Sequence, residues 1–290
     1  MAKKDWKQTG KLSKFDYRCG TRLLLARIFL GITLAFLCVE IIFGVLWVFL
    51  NIQELAIPFF IFAILTVIFG LCVFIACLLP KTEKEIFANV GGYTVLDLEC
   101  SPKEGTLNYI GSAIMINKGI AVTNAHIIID EERKVCEKIN CYFLAESCKG
   151  RAKYKAVLVK YDLELDIAIL SVIPKRYKET FDSKIKCGTV SSVKAGDKIY
   201  VVENADGNGV CFSQGEIRLP LVEEEWKGKK NYFIEYTAST IDGNSGGAIL
   251  NKKGKLIGMH TWRKKGSNFC YAISVDRIIE YVNDIDSYFN

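Results

Sequence analysis

From Leu23 to Leu50, and again from Ile57 to Leu79, the chain is almost continuously apolar. Each run exceeds the ~20 residues a helix needs to cross the hydrocarbon core of a bilayer. In hydrocarbon, a helix also satisfies its own backbone hydrogen bonds, which few other structures can do. A cleaved leader would show a shorter apolar region followed by a small-residue cleavage site, a pattern these runs lack. Joined only by Asn51-Ile52-Gln53-Glu54 and its immediate neighbours, they are expected to form a transmembrane helical hairpin. Lys3, Lys4, Lys7, Lys11, Lys14, Arg18, Arg22 and Arg27 lie at or before the start of the first span, and Lys81 and Lys84 follow the second. No lysine or arginine stands between Arg27 and Lys81. Basic flanks stay on the cytoplasmic side, so both ends of this two-span integral membrane protein are expected in the cytoplasm.

Glu40 interrupts the first span. An intramembrane carboxylate is costly and by default marks function or a partner, so a homo-oligomer through the transmembrane helices is one expectation. The net charge of +6 comes largely from the N-terminal tail and suits an anionic membrane surface. No basic stripe with interleaved aromatics appears, and no nucleic-acid partner is expected.

The chain divides into a basic tail (1–22), the hairpin (23–79), a linker (80–90) and a domain from 91 to 290. Within that domain the clearest segments are short apolar strands: Tyr93–Leu98, Asn108–Ile116, Lys155–Lys160, Ile167–Val172, Lys198–Val202, Gly209–Ile217, Asn231–Tyr236, Leu256–Thr261 and Phe269–Ile273. Many short strands without long intervening helices argue for an all-β barrel fold. Ser274-Val275-Asp276 is placed to cap a closing helix with Ile278, Ile279, Val282 and Ile285 on one face. Val222-Glu223-Glu224-Glu225-Trp226 reads as a solvated acidic turn. Of the 11 cysteines, seven lie beyond Leu79 (Cys100, Cys136, Cys141, Cys148, Cys187, Cys211 and Cys270). An odd number without framework spacing reads as reduced thiols in a reducing compartment. Cys136, Cys141 and Cys148 cluster, but they lack the spacing and fourth ligand of a zinc site, so no metal and no cofactor is expected.

Asp242-Gly243-Asn244-Ser245-Gly246-Gly247 sets a serine on a tight turn whose small neighbours let backbone N–H groups converge beside the hydroxyl. A serine is a weak nucleophile until a base takes its proton and a carboxylate orients that base. With only two histidines in the chain, the base is His126 or His260. His126 ends an apolar strand pair, Gly111–Ile116 and Val122-Thr123-Asn124-Ala125-His126. Asp166-Ile167-Ala168-Ile169-Leu170 places an aspartate at the mouth of an apolar strand. The chain order His126, Asp166, Ser245 is that of chymotrypsin-like enzymes.

These segments resemble trypsin-fold proteases of the Deg (high-temperature-requirement) type and glutamyl endopeptidases. The resemblance runs from about Gly91 to Tyr281, through Lys194-Ala195-Gly196-Asp197 and Lys255–His260. It implies a chymotrypsin-like double β-barrel, a catalytic triad of His126, Asp166 and Ser245, and an oxyanion hole from the N–H groups of Gly243 and Ser245. Deg proteases usually carry a peptide-binding PDZ domain after the protease. The chain stops at Asn290, so regulation through such a domain is not expected.

The resemblance also implies a specificity pocket. In glutamyl endopeptidases a histidine and a threonine at the offsets of His260 and Thr240 line it, and in picornavirus-type main proteases the matching pair selects glutamine. An imidazole N–H and a threonine hydroxyl can both donate to a carboxylate or carboxamide oxygen. Ser239 stands where trypsin-like enzymes hold the aspartate that attracts basic residues, and its neutrality argues against that specificity. Substrate-binding residues are therefore expected at Ser239, Thr240, His260 and Thr261, with a protein or peptide cleaved after glutamate first and glutamine second. Two other readings stay open: a Deg-type quality-control protease preferring small aliphatic residues, and a catalytically silent membrane scaffold that binds peptides.

Overall fold

The computed structural model describes residues 21–50, 53–78, 86, 90, 94–102, 108–117, 119–130, 132–143, 153–175, 181, 185–204, 210–238 and 244–289. They belong to two compact units, one built on residues 18–85 and one on residues from Ile86 onward.

The first unit is two apolar helices, α1 (Thr21–Leu50) and α2 (Ala56–Leu78), joined by a 3-10 turn at Gln53–Leu55. At 1.5 Å per residue, each is long enough to span ~30 Å of hydrocarbon. They pack antiparallel through a ladder of aromatic rings: Phe29 on Phe69, Phe36 on Phe62 and Phe69, Phe43 on Phe62, and Trp47 on Phe59. The hydroxyls of Thr33 and Thr66 donate to the carbonyls of Phe29 and Phe62, four residues back, so neither needs water. Ile57, Val67 and Phe74 are among the large apolar side chains left exposed, a surface suited to lipid. Glu40 is half-buried.

The second unit is mostly β. Strands β1 (Val95–Ser101), β2 (Tyr109–Asn117), β3 (Ile120–Thr123), β4 (Lys138–Phe143), β5 (Lys153–Asp162) and β6 (Ile167–Ile173) close into a barrel in the order β1-β2-β3-β6-β5-β4. A one-turn helix, α3 (Ala125–Ile128), follows β3. The remaining strands are β7 (Lys186–Cys187), β8 (Lys198–Asn204), β9 (Val210–Trp226), β10 (Lys229–Ala238), β11 (Ala248–Asn251), β12 (Lys255–Arg263) and β13 (Phe269–Ser274). They form a sheet ordered β11-β8-β9-β10-β13-β12-β7, and pairing of β11 with β12 closes six of them into a second ring. The all-β double-barrel expectation holds. Helix α4 (Val275–Phe289) ends the described chain, with the N–H of Arg277 bonded to the Ser274 hydroxyl at 3.4 Å.

Side-chain alternation builds three cores. Leu96, Leu98, Ala168 and Leu170 point into the first barrel, and Ile199, Val201, Ile249 and Ile257 into the second. Their strand neighbours Val95, Ile167, Ile169, Val202, Ala248 and Leu250 form a third core between the barrels, with Ile278 and Tyr281 of α4. β6 therefore buries both faces over Ile167–Leu170, which is why that stretch is continuously apolar rather than alternating.

Two expectations need correction. Ile86 and Val90, assigned to the linker, are apolar and buried in the inter-barrel core. Val222–Trp226 is not a turn: it is the end of β9, with Glu223, Glu224 and Glu225 opposite Tyr232, Asn231 and Lys230 of β10. The true turn is Lys227-Gly228, where both residues have positive φ, the backbone twist that two-residue hairpin turns favour. Lys230 pairs with Glu223, and Lys264 and the Tyr271 hydroxyl meet Glu224, so an acidic run is tolerable in a strand.

Candidate active site

His126 sits on α3, the single helical turn that reverses the chain after β3. Asp166 closes the turn after β5 with φ of 56°, a left-handed conformation that aspartate tolerates better than most residues, at a cost of about 1–3 kcal/mol. That backbone aims the carboxylate at α3. The Nδ1 of His126 lies 2.9 Å from Oδ2 and 3.0 Å from Oδ1 of Asp166, and the His126 backbone N–H donates to Oδ1 at 3.1 Å. The Thr261 hydroxyl donates to Oδ2 at 2.5 Å, and the Asn124 side-chain amide caps the Asp166 carbonyl at 3.0 Å. The Asp166 side chain is fully buried, whereas that of His126 is 31% exposed. Hydrogen bonds to a charged group contribute about 1.5–3 kcal/mol each, so three donors can hold a carboxylate that burial alone would expel. With Nδ1 donating to Asp166, Nε2 is the ring atom able to accept a proton.

Ser245 lies in the turn before β11. Its backbone carbonyl accepts from the Ser112 N–H of β2 at 2.7 Å, which ties the turn to the first barrel. The Gly246 N–H donates to the His260 carbonyl at 2.9 Å, and the His260 N–H donates to the Gly247 carbonyl at 2.8 Å. Gly246 has φ of 83°, and a Cβ there would stand 1.9 Å from the Ser112 carbonyl oxygen. The Ser245 hydroxyl donates to the Thr261 carbonyl at 3.1 Å. Thr261 thus touches the aspartate through its side chain and the serine through its backbone.

His260, on β12, is buried. Its Nδ1 lies 2.5 Å from the Tyr236 hydroxyl, and burial first, then the nearby His126 and Arg263, push its pKa down to about 3. Burial likewise pushes the Tyr236 phenol well up. A protonated phenol donating to a neutral imidazole leaves the hydrogen on Nε2. Beside Gly247 lies Glu203, also buried, whose carboxyl burial alone keeps protonated far above the usual range.

The structure thus brings together His126, Asp166, Ser245, His260 and Thr261. Thr261, expected against substrate, spends its hydroxyl on Asp166. Ser239, Thr240 and Gly243 lie outside the described residues. Cys136 and Cys141 are buried with Cys100 in the first barrel, where burial pushes their thiols up to about 11 and about 12 respectively; Cys148 is outside the described residues. Sequence reasoning passed over the roles of Asn124 and Tyr236. Asn124 stood two residues from the histidine as a usable signal, whereas Tyr236 is one aromatic in an apolar strand and carried none.

Residues 111–259, just over half of the chain, match the trypsin-like peptidase domain family. The probable periplasmic DegP-like serine endoprotease of Buchnera aphidicola subsp. Baizongia pistaciae is 31% identical over 166 residues, which cover 56% of this chain and 32% of that protein. The periplasmic pH-dependent serine endoprotease DegQ of Escherichia coli K12 is 31% identical over 187 residues, covering 63% of this chain and 36% of DegQ. The chain spans about a third of the length of these curated relatives. The HtrA-type protease AlgW, solved with a tripeptide, shares the fold with a TM-score of 0.56 at 24% identity, over 69% of this chain and 62% of that one. Two barrels, a histidine–aspartate pair at their seam and a glycine-flanked serine beside it agree with these likenesses: the chain belongs to the trypsin-like peptidase family and aligns there with serine endoproteases of the Deg (HtrA) type.

Proposed function

We propose that this chain is a membrane-anchored serine endopeptidase. Ser245 attacks the scissile carbonyl, and Nε2 of His126 takes its proton and returns it to the leaving amine. Asp166 holds the imidazole and stabilises its charged form, while the N–H groups of Gly243 and Ser245 receive the oxyanion. The observation that carries this reading is the buried Asp166 carboxylate, held by Thr261 and the His126 backbone against His126 Nδ1. Substrate lies extended along β12 at Thr261-Trp262-Arg263, adding a strand to its edge. The peptide bound in the AlgW neighbour supports a peptide ligand.

Specificity centres on His260 and Thr240. A neutral His260 offers an N–H that serves carboxylate and carboxamide alike. Profiling the cleavage sites of a peptide library is expected to show cuts after glutamate, then glutamine, and few after lysine or arginine. His260→Ala is expected to lower kcat/KM for both favoured peptides by at least about 100-fold, since each loses a buried hydrogen bond. Cuts after valine or alanine, unchanged by His260→Ala, would instead favour the Deg-type quality-control reading. A fluorophosphonate probe that fails to label the folded chain at Ser245 would favour the silent scaffold.

The two apolar helices serve as membrane spans, and the basic flanks place the N-terminus and the protease in the cytoplasm. The curated relatives named above are periplasmic, so orientation needs its own test. Reporters fused at Gln53 and Asn290 are expected to read external and cytoplasmic respectively. An external reporter at Asn290 overturns the assignment.

A further inference from the structure

The end of the β9–β10 hairpin returns to the first barrel beside His126. Trp226 places its ring centroid 6.1 Å from the His126 imidazole and stacks on Trp262 at 5.7 Å, the residue along which substrate is proposed to run. Trp262 in turn stacks on Tyr271 at 4.0 Å. The hairpin is held down near its tip: Lys229 pairs with Glu164, and the Asn231 amide donates to the Glu164 carbonyl at 2.9 Å. Glu164 belongs to the same turn that delivers Asp166.

Trp226 also walls a cavity of about 300 Å³, with Ile129 and Leu163 supplying further apolar lining. Ile129 directly follows the helix of His126. Five charged groups line this cavity, two acids (Asp130, Glu164) and three cations (Arg133, Lys227, Lys229). Glu164 is committed to Lys229, and Asp130 accepts the Lys134 backbone N–H at 2.8 Å. Arg133 and Lys227 are exposed cations that also line the cavity. An apolar floor beneath two cations suits a side chain with an aliphatic stem and a terminal carboxylate.

We infer that this cavity, walled by Trp226 and rimmed by Arg133 and Lys227, binds an acidic side chain of the substrate upstream of the scissile bond. The inference rests on the endopeptidase reading. A peptide running antiparallel to β12, with its scissile residue at His260, carries its preceding residues past Trp262 and so to the Trp226 wall. The chain would then read two acidic positions: the residue before the cut, and a glutamate two to four residues upstream of the cut.

The test uses the full chain in detergent with quenched peptides carrying glutamate, glutamine or lysine at each of those upstream positions. Glutamate is expected to exceed lysine in kcat/KM by about tenfold at one position, the scale of two partly exposed ion pairs. Arg133 and Lys227 both have positive φ, so Arg133→Gly and Lys227→Gly remove the charges in a backbone that glycine favours. The double variant is expected to bring the glutamate-to-lysine ratio below about twofold, and raising salt from about 0.05 to about 0.5 M is expected to shrink the wild-type ratio. A wild-type ratio near one, or a ratio the double variant leaves intact, overturns the subsite while the endopeptidase reading stands. Failure to cleave any peptide overturns both.

Discussion

Ser245→Ala and His126→Ala are each expected to lower peptide hydrolysis by about 10⁴-fold or more with the fold unchanged. The members of such a triad act as a unit: once the nucleophile or its base is gone, the remaining groups have no step to assist. The structure explains why folding should survive. The Ser245 hydroxyl makes one hydrogen bond, to the Thr261 carbonyl, and the turn is held by backbone bonds from Ser112 and to His260 that alanine retains. His126 is partly exposed, so truncating it leaves its Asp166 partner with the Thr261 hydroxyl and a backbone N–H. Matched thermal unfolding curves, together with steady-state hydrolysis of one peptide, check both halves. Near-wild-type turnover in either variant removes the mechanism.

Gly246→Ala is expected to be severely damaging. The added Cβ would meet the Ser112 carbonyl oxygen at 1.9 Å and the Thr123 hydroxyl at 2.7 Å, in a backbone with φ of 83°. The first obstacle is main chain of a buried strand, and the second is a side chain that itself donates to Ser112 at 2.6 Å. Neither can move without opening the seam between the barrels. A destabilisation of about 3 kcal/mol or more is expected, with hydrolysis falling to the Ser245→Ala level because the nucleophile is displaced. Gly228→Ala is the control: φ is 81°, yet nothing lies within 4 Å of its Cβ, so only the local conformational cost of about 1 kcal/mol applies. Thermal unfolding of the two variants side by side is the measurement. Equal losses would mean that backbone conformation, rather than close packing against Ser112, makes glycine necessary at 246.

Some features were readable because they are local. Two apolar runs longer than a bilayer is thick can form little else but helices, and they do. Apolar strands separated by turn residues declared a β domain, and Asn-Ser-Gly-Gly announced a tight turn because only small residues permit it. The acidic run before Trp226 misled for the opposite reason. Three consecutive glutamates look like solvent-facing turn when seen alone, but Lys230, Lys264 and Tyr271 neutralise or bond them from other strands.

The sequence by itself determined the two candidate spans, the β class of the domain and the three residues whose order suggests a triad, since each depends on side-chain type and short spacing. Tertiary structure decided what those residues can do. It brought Asp166 across 40 residues to His126 and Thr261 across 95 to Asp166. It also buried His260 against Tyr236, making it a neutral donor rather than a charge, and it carried Trp226 from the second barrel to the histidine of the first. Protonation, burial and the lining of a cavity depend on which strands become neighbours. Barrel closure sets those neighbours, and no short stretch of chain encodes it.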